Sequence, residues 1–364
     1  MVSSYFRPHV GGVERFVELL ASGLAGRGHT VTVLACHTSA DPPREIVDGY
    51  EIRRVRASNI LEQRLGIPYP LPTPREARRA LDALVATADV VHVHEARYVL
   101  SAAAIRGGAA RRVPVLLTQH TGFVPQRHVV FDVVERLVTR AARASARRVS
   151  LTAVYSPEVA AWVEKEWGPM PVELLPVGVA EAAEPARRSA FGLPEGRFVV
   201  LFVGRNVPTK GLDALLGALG EEYVVAAVTD ARPDPRPGLV TLPFMSADRL
   251  AQLMASVDAF VLPSRGEGVP LALQEAMCAG LPVVTTMLPG YERYFGPDDV
   301  VPIESDPDSI RQGLLTVALD EDRRGHLARR SAEIARRHFS LPRFIDAYEE
   351  AYDRLVAGGP PRVV

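Results

Sequence analysis

Nine short runs of aliphatic and β-branched residues punctuate this chain, and helical periods fill the gaps between them. "TVTVLAC" (30–36), "VVHVHE" (90–95), "VPVLLTQH" (113–120) and "RVSLTAVY" (148–155) lie in the first half. "RFVVLFVG" (197–204), "YVVAAVT" (223–229), "LVTLPF" (239–244), "AFVLPS" (259–264) and "PVVTT" (282–286) lie in the second. Runs that are apolar almost throughout suit strands covered on both faces. Val13, Phe16, Val17, Leu20, Ala21 and Leu24 recur at one helical face, and "LDALLGAL" (212–219) and "ADRLAQLMASV" (247–257) behave alike. Repeated strand–helix alternation predicts an α/β fold with doubly wound parallel sheets.

At 364 residues the chain exceeds what one core usually holds, so two such domains are expected. The boundary is predicted in "PVGVAEAAEPARR" (176–188), giving an N-terminal domain over 1–178 and a C-terminal one over 179–340. Residues 341–364 carry a last helix, about 342–357, and a tail, "GGPPRVV", without structure. A central first strand should be longer than "MVSS", so the natural start is expected upstream.

A content of 47% hydrophobic and 23% charged residues excludes a disordered chain. Two cysteines, Cys36 and Cys278, exclude a disulfide framework and fit a reducing, cytoplasmic setting. No signal peptide is expected from "MVSSYFRPHVGG". No run reaches the ~18 apolar residues of a spanning helix. A net charge of −1 gives no reason to expect a nucleic-acid partner. It divides unevenly: residues 1–175 carry 22 Lys+Arg and 17 Asp+Glu (+5), and residues 176–364 carry 20 and 26 (−6). Of the 42 basic residues only Lys165 and Lys210 are lysines.

That scarcity makes "FVGRNVPTKGLDALLGAL" (202–219) informative. A strand ends at Gly204, a loop carries Arg205 and Lys210, and a helix follows. Ligands of doubly wound sheets sit at the carboxyl ends of strands. Two cations beside a helix start suit a diphosphate there. The alternative is a solvated loop. Lys210 weighs against it, because a compact ammonium stands where the chain otherwise uses the planar arginine fork.

"RGEGVPLALQEA" (265–276) occupies the carboxyl end of another predicted strand. Pro270 suits the first position of a helix that ends at Gly280. The backbone N–H groups near Gly268 to Ala272 would form a second anion site. Glu267 lies on the loop and Glu275 about a turn and a half inside the helix. A carboxylate at Glu275 could accept paired hydrogen bonds from a ribose diol. The alternative is a capping Glu267 and a surface Glu275 paired with an arginine.

Together the two motifs, Gly-Arg…Lys-Gly and Glu followed by a second Glu after seven residues, resemble the family 4 retaining glycosyltransferases. "YFRPHVGGVERFVELLASGLAGRGHTVTVL", "DVVHVHE", "VLLTQHTG" and "AFVLPSRGEGVPLALQEAMCAGLPVVTT" follow in that family's order, over nearly the whole chain. The resemblance implies the GT-B fold, two Rossmann-like domains facing an interdomain cleft, with the last helix returning to the N-terminal domain. It implies a nucleotide-sugar donor in the C-terminal domain and an acceptor on the N-terminal side. Arg205 and Lys210 would bind the diphosphate, aided by the backbone of Gly268, Val269, Pro270 and Leu271. Glu275 would hold the ribose. Glu267 would contact the transferred sugar, Gly12 would approach the donor, and His120 would face its sugar; Glu267 and His120 are the implied catalytic pair. By their residues alone, Gly11 and Gly12 before a helix are a weak phosphate-loop signal. His120 after a strand suits a structural or a reactive histidine, and His94 suits a reactive one less.

Loss of a nucleoside diphosphate leaves an oxocarbenium-like sugar, so cations and helix dipoles must stabilise the leaving group. They could replace a metal, and neither metal nor cofactor is expected beside the nucleotide sugar as cosubstrate. "DPD" (306–308) imitates an Asp-x-Asp metal motif, but Asp306 as helix cap and Pro307 at the first position is the better account. Two departures stand: Val177 in "PVGVA" replaces the family's usual asparagine, and "MLPGYERYF" (287–295) matches only loosely.

Arg136, Arg140, Arg143 and Arg147 are spaced 4, 3 and 4 apart, on one helical face. Beside Val134, Leu137, Val138 and Ala141 they form a basic stripe next to an apolar one, the pattern of a helix lying on anionic lipid. A solvated helix face accounts for it equally. The membrane reading gives an acceptor that is anionic or lipid-linked at the inner membrane face; a small molecule or polysaccharide fits the other. A nucleotide-sugar-binding partner subunit without turnover is the alternative function. An NAD-dependent oxidoreductase is disfavoured, since no Gly-x-Gly-x-x-Gly follows either leading strand.

Overall fold

The computed structural model describes residues 1–9, 11–37, 41–65, 67, 69–122, 129–180, 182–266 and 268–359. It divides into two compact units. The first comprises Met1–Pro176 and the chain from Phe344 onward, and the second Val177–Arg343.

In the first unit the elements run α1 (Gly12–Gly26), β1 (Thr32–His37), β2 (Arg44–Val47), β3 (Tyr50–Ser58), α2 (Ile60–Leu65), β4 (Leu71–Pro72) and α3 (Pro74–Val85). They continue through β5 (Val91–His94), α4 (Val99–Arg111), β6 (Val115–Thr118), α5 (Val129–Ala146), β7 (Leu151–Val154), α6 (Pro157–Trp167) and β8 (Val172–Leu174). β3 lies parallel to β1, and β2 and β4 lie antiparallel to β3. β5, β6, β7 and β8 are parallel neighbours. The short opening segment joins these two groups. Val2 bridges Leu34 on one side and Val93 on the other, both parallel. Its N–H donates to the His92 carbonyl at 2.7 Å, and the His94 N–H donates to its own carbonyl at 2.9 Å.

Every residue of β5, β6 and β7 is buried, as the unbroken apolar runs require. Phe16, Val17, Leu20 and Leu24 of α1 are buried too, at the predicted spacing. The β2–β3 hairpin escaped the sequence reading because its strands are rich in arginine and glutamate and its faces alternate.

In the second unit the elements are β9 (Phe198–Val203), α7 (Leu212–Gly217), β10 (Tyr223–Val228), β11 (Leu239–Leu242), α8 (Ala247–Met254) and β12 (Ala259–Leu262). α9 (Leu271–Cys278), β13 (Val283–Thr285), β14 (Val301–Pro302), α10 (Pro307–Leu319) and α11 (Glu321–Ile334) follow. The strands are parallel in the order β11-β10-β9-β12-β13-β14. That is the doubly wound order whose direction reverses between the first strand, β9, and the fourth, β12. The Asp306 side chain caps α10 by accepting from the N–H groups of Asp308 and Ser309, with Pro307 next.

The last helix, α12 (Leu341–Val356), begins as the chain leaves the second unit. From Phe344 it belongs to the first, where Phe344, Ile345, Tyr348 and Ala351 are buried. Arg354 there donates to both carboxylate oxygens of Glu173 at 2.7 Å.

Candidate functional site

Two loops meet at the β9/β12 reversal of the second unit. The first leaves β9 at Gly204 and carries Arg205, exposed, and Lys210, half-buried. It is wound tight by bonds from the Val207 N–H to the Arg205 carbonyl at 2.8 Å and from the Lys210 N–H to the Val207 carbonyl at 3.0 Å. The Asp230 carboxylate takes the Asn206 N–H at 2.6 Å. Gly211 closes the loop at φ 70°. A Cβ there would sit 2.2 Å from the Pro263 carbonyl oxygen, so both its conformation and its neighbour demand glycine.

The second loop leaves β12 and is tied to the first. The Arg265 N–H and the Ser264 hydroxyl both donate to the Thr209 carbonyl, at 2.8 and 3.0 Å. Thr286 donates to the Ser264 carbonyl at 2.5 Å, and Ser305 to the Pro263 carbonyl at 2.8 Å. Residues from the ends of β9, β12, β13 and β14 thus lock one rim. The Arg265 side chain is committed to Ser305.

Pro270 is not the first helical residue but the cap before it, extended at ψ 149°. The reason is its carbonyl, which accepts from both Leu273 and Gln274 at 3.1 Å. The amides of Leu271 and Ala272 begin the helix and have no intrahelical acceptor. Gln274 is buried and donates to the Val269 carbonyl at 2.9 Å, fixing the loop before the helix. Glu275 is half-buried one turn into α9. The helix ends as predicted: Gly280 at φ 71° lets the Leu281 and Gly280 N–H groups return to Ala276 and Met277. Glu267 lies outside the described residues. Sequence reasoning missed Thr209 and Gln274, whose roles run through backbone carbonyls and leave no charge or spacing signal. A cavity of ≈ 290 Å³ beside Asn206 is lined by Asp213 and Asp234 as well as Arg232 and Arg236, and so lacks a field of one sign.

Of the residues singled out in the first unit, His120 follows the carboxyl end of β6 and Gly12 opens α1. Gly12 is exposed at the start of α1. The Glu14 carboxylate folds back so closely that a Cβ on Gly11 would meet it at 2.3 Å, and it pairs with His9 at 3.0 Å. His120 is buried: its Nε2 lies 3.1 Å from His94 Nδ1 and its ring meets Phe16 edge-on. Burial lowers its pKa to about 4 against the pull of Glu95 and Glu14. Burial also drives His92 and His94 well below the usual histidine range.

Glu95 was not anticipated. It is buried at φ 61°, an uncommon backbone for a non-glycine residue. Its Oε1 accepts from the N–H groups of His120 and Thr121, and its Oε2 from Arg97 and Gln119. Burial pushes its carboxyl up, but the Arg97 charge, His120 and these bonds outweigh that and hold it below the ordinary range. A lone glutamate after "VVHVH" gave no spacing signal that could have marked it. Arg136, Arg140 and Arg143 on α5 are exposed, as are Val133, Val134 and Leu137; Arg147, expected on the same helix, is exposed in the turn just after it, because α5 ends at Ala146. Among the described residues no group of three or more His, Cys, Asp and Glu could hold a metal ion, and no helix is long and apolar enough to cross a membrane.

The model of Glycosyltransferase Family 4 matches residues 10–182, and that of Glycosyl transferases group 1 matches residues 236–337. The chain belongs to the family 4 glycosyltransferases. It is a glycosyltransferase that draws on a nucleotide-sugar donor. Over 316 residues this transferase is 29% identical to a GDP-mannose-dependent alpha-mannosyltransferase of Mycobacterium tuberculosis (strain CDC 1551 / Oshkosh), covering 78% of this chain and 77% of that one. It is 27% identical to the phosphatidyl-myo-inositol mannosyltransferase of Mycolicibacterium smegmatis, covering 94% and 90%. The transferase also shares its fold with sucrose-phosphate synthase from Thermosynechococcus elongatus, at a TM-score of 0.77 and 18% identity over 98% of each chain. The fold is GT-B, with two Rossmann-like units.

Proposed function

We propose that this glycosyltransferase binds the diphosphate of its donor at the β9/β12 reversal and transfers the sugar with retention of configuration, without a metal ion. The observation that carries this reading is the pair of cross-tied loops, which bring Arg205 and Lys210 to the same rim as the start of α9. As the sugar–phosphate bond breaks, charge develops on the diphosphate. Arg205, Lys210 and the Leu271 and Ala272 amides would meet it with fixed positive potential. Glu275 then takes the ribose and Glu267 the sugar, as in the family pattern. His120, neutral at physiological pH, acts as a hydrogen-bonding group and not as a charge.

The relatives' names support a hexose donor of the GDP-mannose kind and an acceptor at a lipid surface. The exposed face of α5 supports the latter: its three arginines, with Arg147 just beyond its end, lie near Val133, Val134 and Leu137 and would meet anionic headgroups and the outer acyl boundary together. The stereochemical claim is tested by proton NMR of the product formed from an α-linked donor. An α-anomeric product is expected, and a β-anomer would overturn retention. Donor binding with neither hydrolysis nor transfer would favour the partner-subunit reading.

A further inference from the structure

One buried nitrogen of the histidine cluster in the first unit has no partner. His92 and His94 lie two residues apart on β5, so both side chains leave the same face of the sheet. Their ring centroids are 4.1 Å apart, and His92 stacks in turn on Tyr348 of α12 at 5.6 Å. His92 is satisfied at both nitrogens: Nδ1 lies 2.6 Å from the Tyr352 hydroxyl and Nε2 lies 2.7 Å from the Thr118 hydroxyl. His94 is satisfied at one. Its Nδ1 lies 3.1 Å from His120 Nε2, whereas its Nε2 is buried with no hydrogen-bond partner among the described residues. Both backbones are fixed. The His94 N–H donates to the Val2 carbonyl at 2.9 Å, and the His94 carbonyl accepts the Ser101 hydroxyl at 3.2 Å. The His120 N–H donates to Glu95, and the His120 carbonyl accepts the Tyr155 hydroxyl at 2.5 Å. Phe16 meets both rings edge-on, at 5.6 and 4.8 Å.

A bond between two ring nitrogens needs one proton between them, and burial keeps both rings neutral, so each carries a single N–H. Two arrangements meet that condition. In the first, His120 donates from Nε2, and the His94 proton sits on Nε2 as a buried donor without an acceptor. In the second, His94 donates from Nδ1, its Nε2 is an idle lone pair, and the His120 proton sits on Nδ1. Buried N–H groups without an acceptor are rarer in folded proteins than acceptors left under-satisfied, which favours the second. We propose that His94 is a positioning residue: by donating from Nδ1 to His120 Nε2, it makes His120 Nδ1 a hydrogen-bond donor to the ligand that His120 meets. The inference rests on the reading above, in which that ligand is the sugar being transferred. With Nε2 occupied, Nδ1 is the ring nitrogen left for a ligand, and the bond at the first nitrogen sets the sense of the second. A donor of fixed sense requires an oxygen lone pair opposite it, which a sugar hydroxyl supplies.

Long-range proton–nitrogen NMR correlation of the full chain with isotope-labelled histidine, near neutral pH, reports which nitrogen of each ring carries the proton. Single substitutions of His94 and His120 assign the signals. Both rings are expected to carry the proton on Nδ1. A proton on Nε2 of either ring would overturn the inference and leave the transfer reading untouched. The variants His94→Asn and His94→Leu, alike in size, test the role in turnover, because the asparagine amide can donate to His120 and leucine cannot. The substrate is whichever of the UDP-, GDP- and ADP-sugars most raises the melting temperature. His94→Leu should lower kcat by about tenfold, the weight of one lost hydrogen bond, and change the donor KM less. His94→Asn should restore most of that loss, whereas a packing role alone predicts the reverse order. A folded His94→Leu variant with wild-type kcat, or a His94→Asn variant as slow as it, would overturn the positioning role. Wild type with both protons on Nδ1 and no consumption of any donor would overturn the transfer reading and leave the tautomers as assigned.

Discussion

Glu95 Oε1 accepts the backbone N–H of His120 at 3.0 Å, so a strand-end carboxylate fixes the loop that carries the imidazole. The same side chain holds Arg97 and Gln119 through its other oxygen. Removing its charge leaves Glu135 as the remaining carboxylate against Arg97 among the described residues. Glu95→Gln should therefore cost about 3 kcal/mol of stability, the lower range for breaking a buried ion pair. Urea unfolding measures it; Glu95→Ala, which removes the acceptor of the His120 N–H altogether, should also lose turnover.

The buried histidines set an acid limit. His120, with a folded pKa of about 4, and His92 and His94, lowered still by burial, refuse protons that the unfolded chain takes up near pH 6.5. The unfolded state then binds more protons, so stability falls as pH drops from about 6.5 toward 4. His120 alone should contribute up to about 3 kcal/mol of that loss, at ~1.4 kcal/mol per pH unit. Unfolding midpoints between pH 7.5 and 4.5 check the sign; a flat profile would remove the burial argument.

Gly211 and Lys210 are neighbours with separable effects. Gly211→Ala forces a Cβ toward the Pro263 carbonyl at positive φ and should destabilise by ~1–3 kcal/mol. Lys210→Ala leaves the Gly211 backbone and its approach to Pro263 in place. It should weaken nucleoside diphosphate binding by about tenfold or more, as loss of one charge-assisted contact does. Calorimetric titration with the diphosphate distinguishes them.

The α5 face predicts salt-sensitive lipid binding. Sedimentation with vesicles containing phosphatidylserine or phosphatidylglycerol should pull the protein down, and neutral vesicles should not. Each of Arg136, Arg140, Arg143 and Arg147 changed to glutamine should weaken binding about fivefold, from ~1 kcal/mol per basic residue at the surface. Equal, negligible binding to both vesicle types would leave α5 as a solvated face.

Apolar runs and helical periods made the two doubly wound sheets legible, because strands buried on both faces cannot hide their composition. The charged hairpin β2–β3 stayed hidden, since half-exposed arginine-rich strands carry no such run. At the β9/β12 reversal, Arg205, Lys210 and Glu275 stood out through loop chemistry and family order. Thr209 and Gln274 did not, because backbone carbonyls join the loops there.

The central claim is that the β9/β12 reversal holds the donor through Lys210 and Glu275. A thermal-shift screen of UDP-, GDP- and ADP-sugars, and of UDP, GDP and ADP themselves, against wild type, Lys210→Ala and Glu275→Ala tests it most directly. A ligand that binds only the folded state raises its melting temperature with concentration. The account predicts that at least one donor stabilises wild type, that Lys210→Ala loses the shift from donor and bare diphosphate alike, and that Glu275→Ala weakens both. No shift with any donor, or equal shifts in all three proteins, would contradict it.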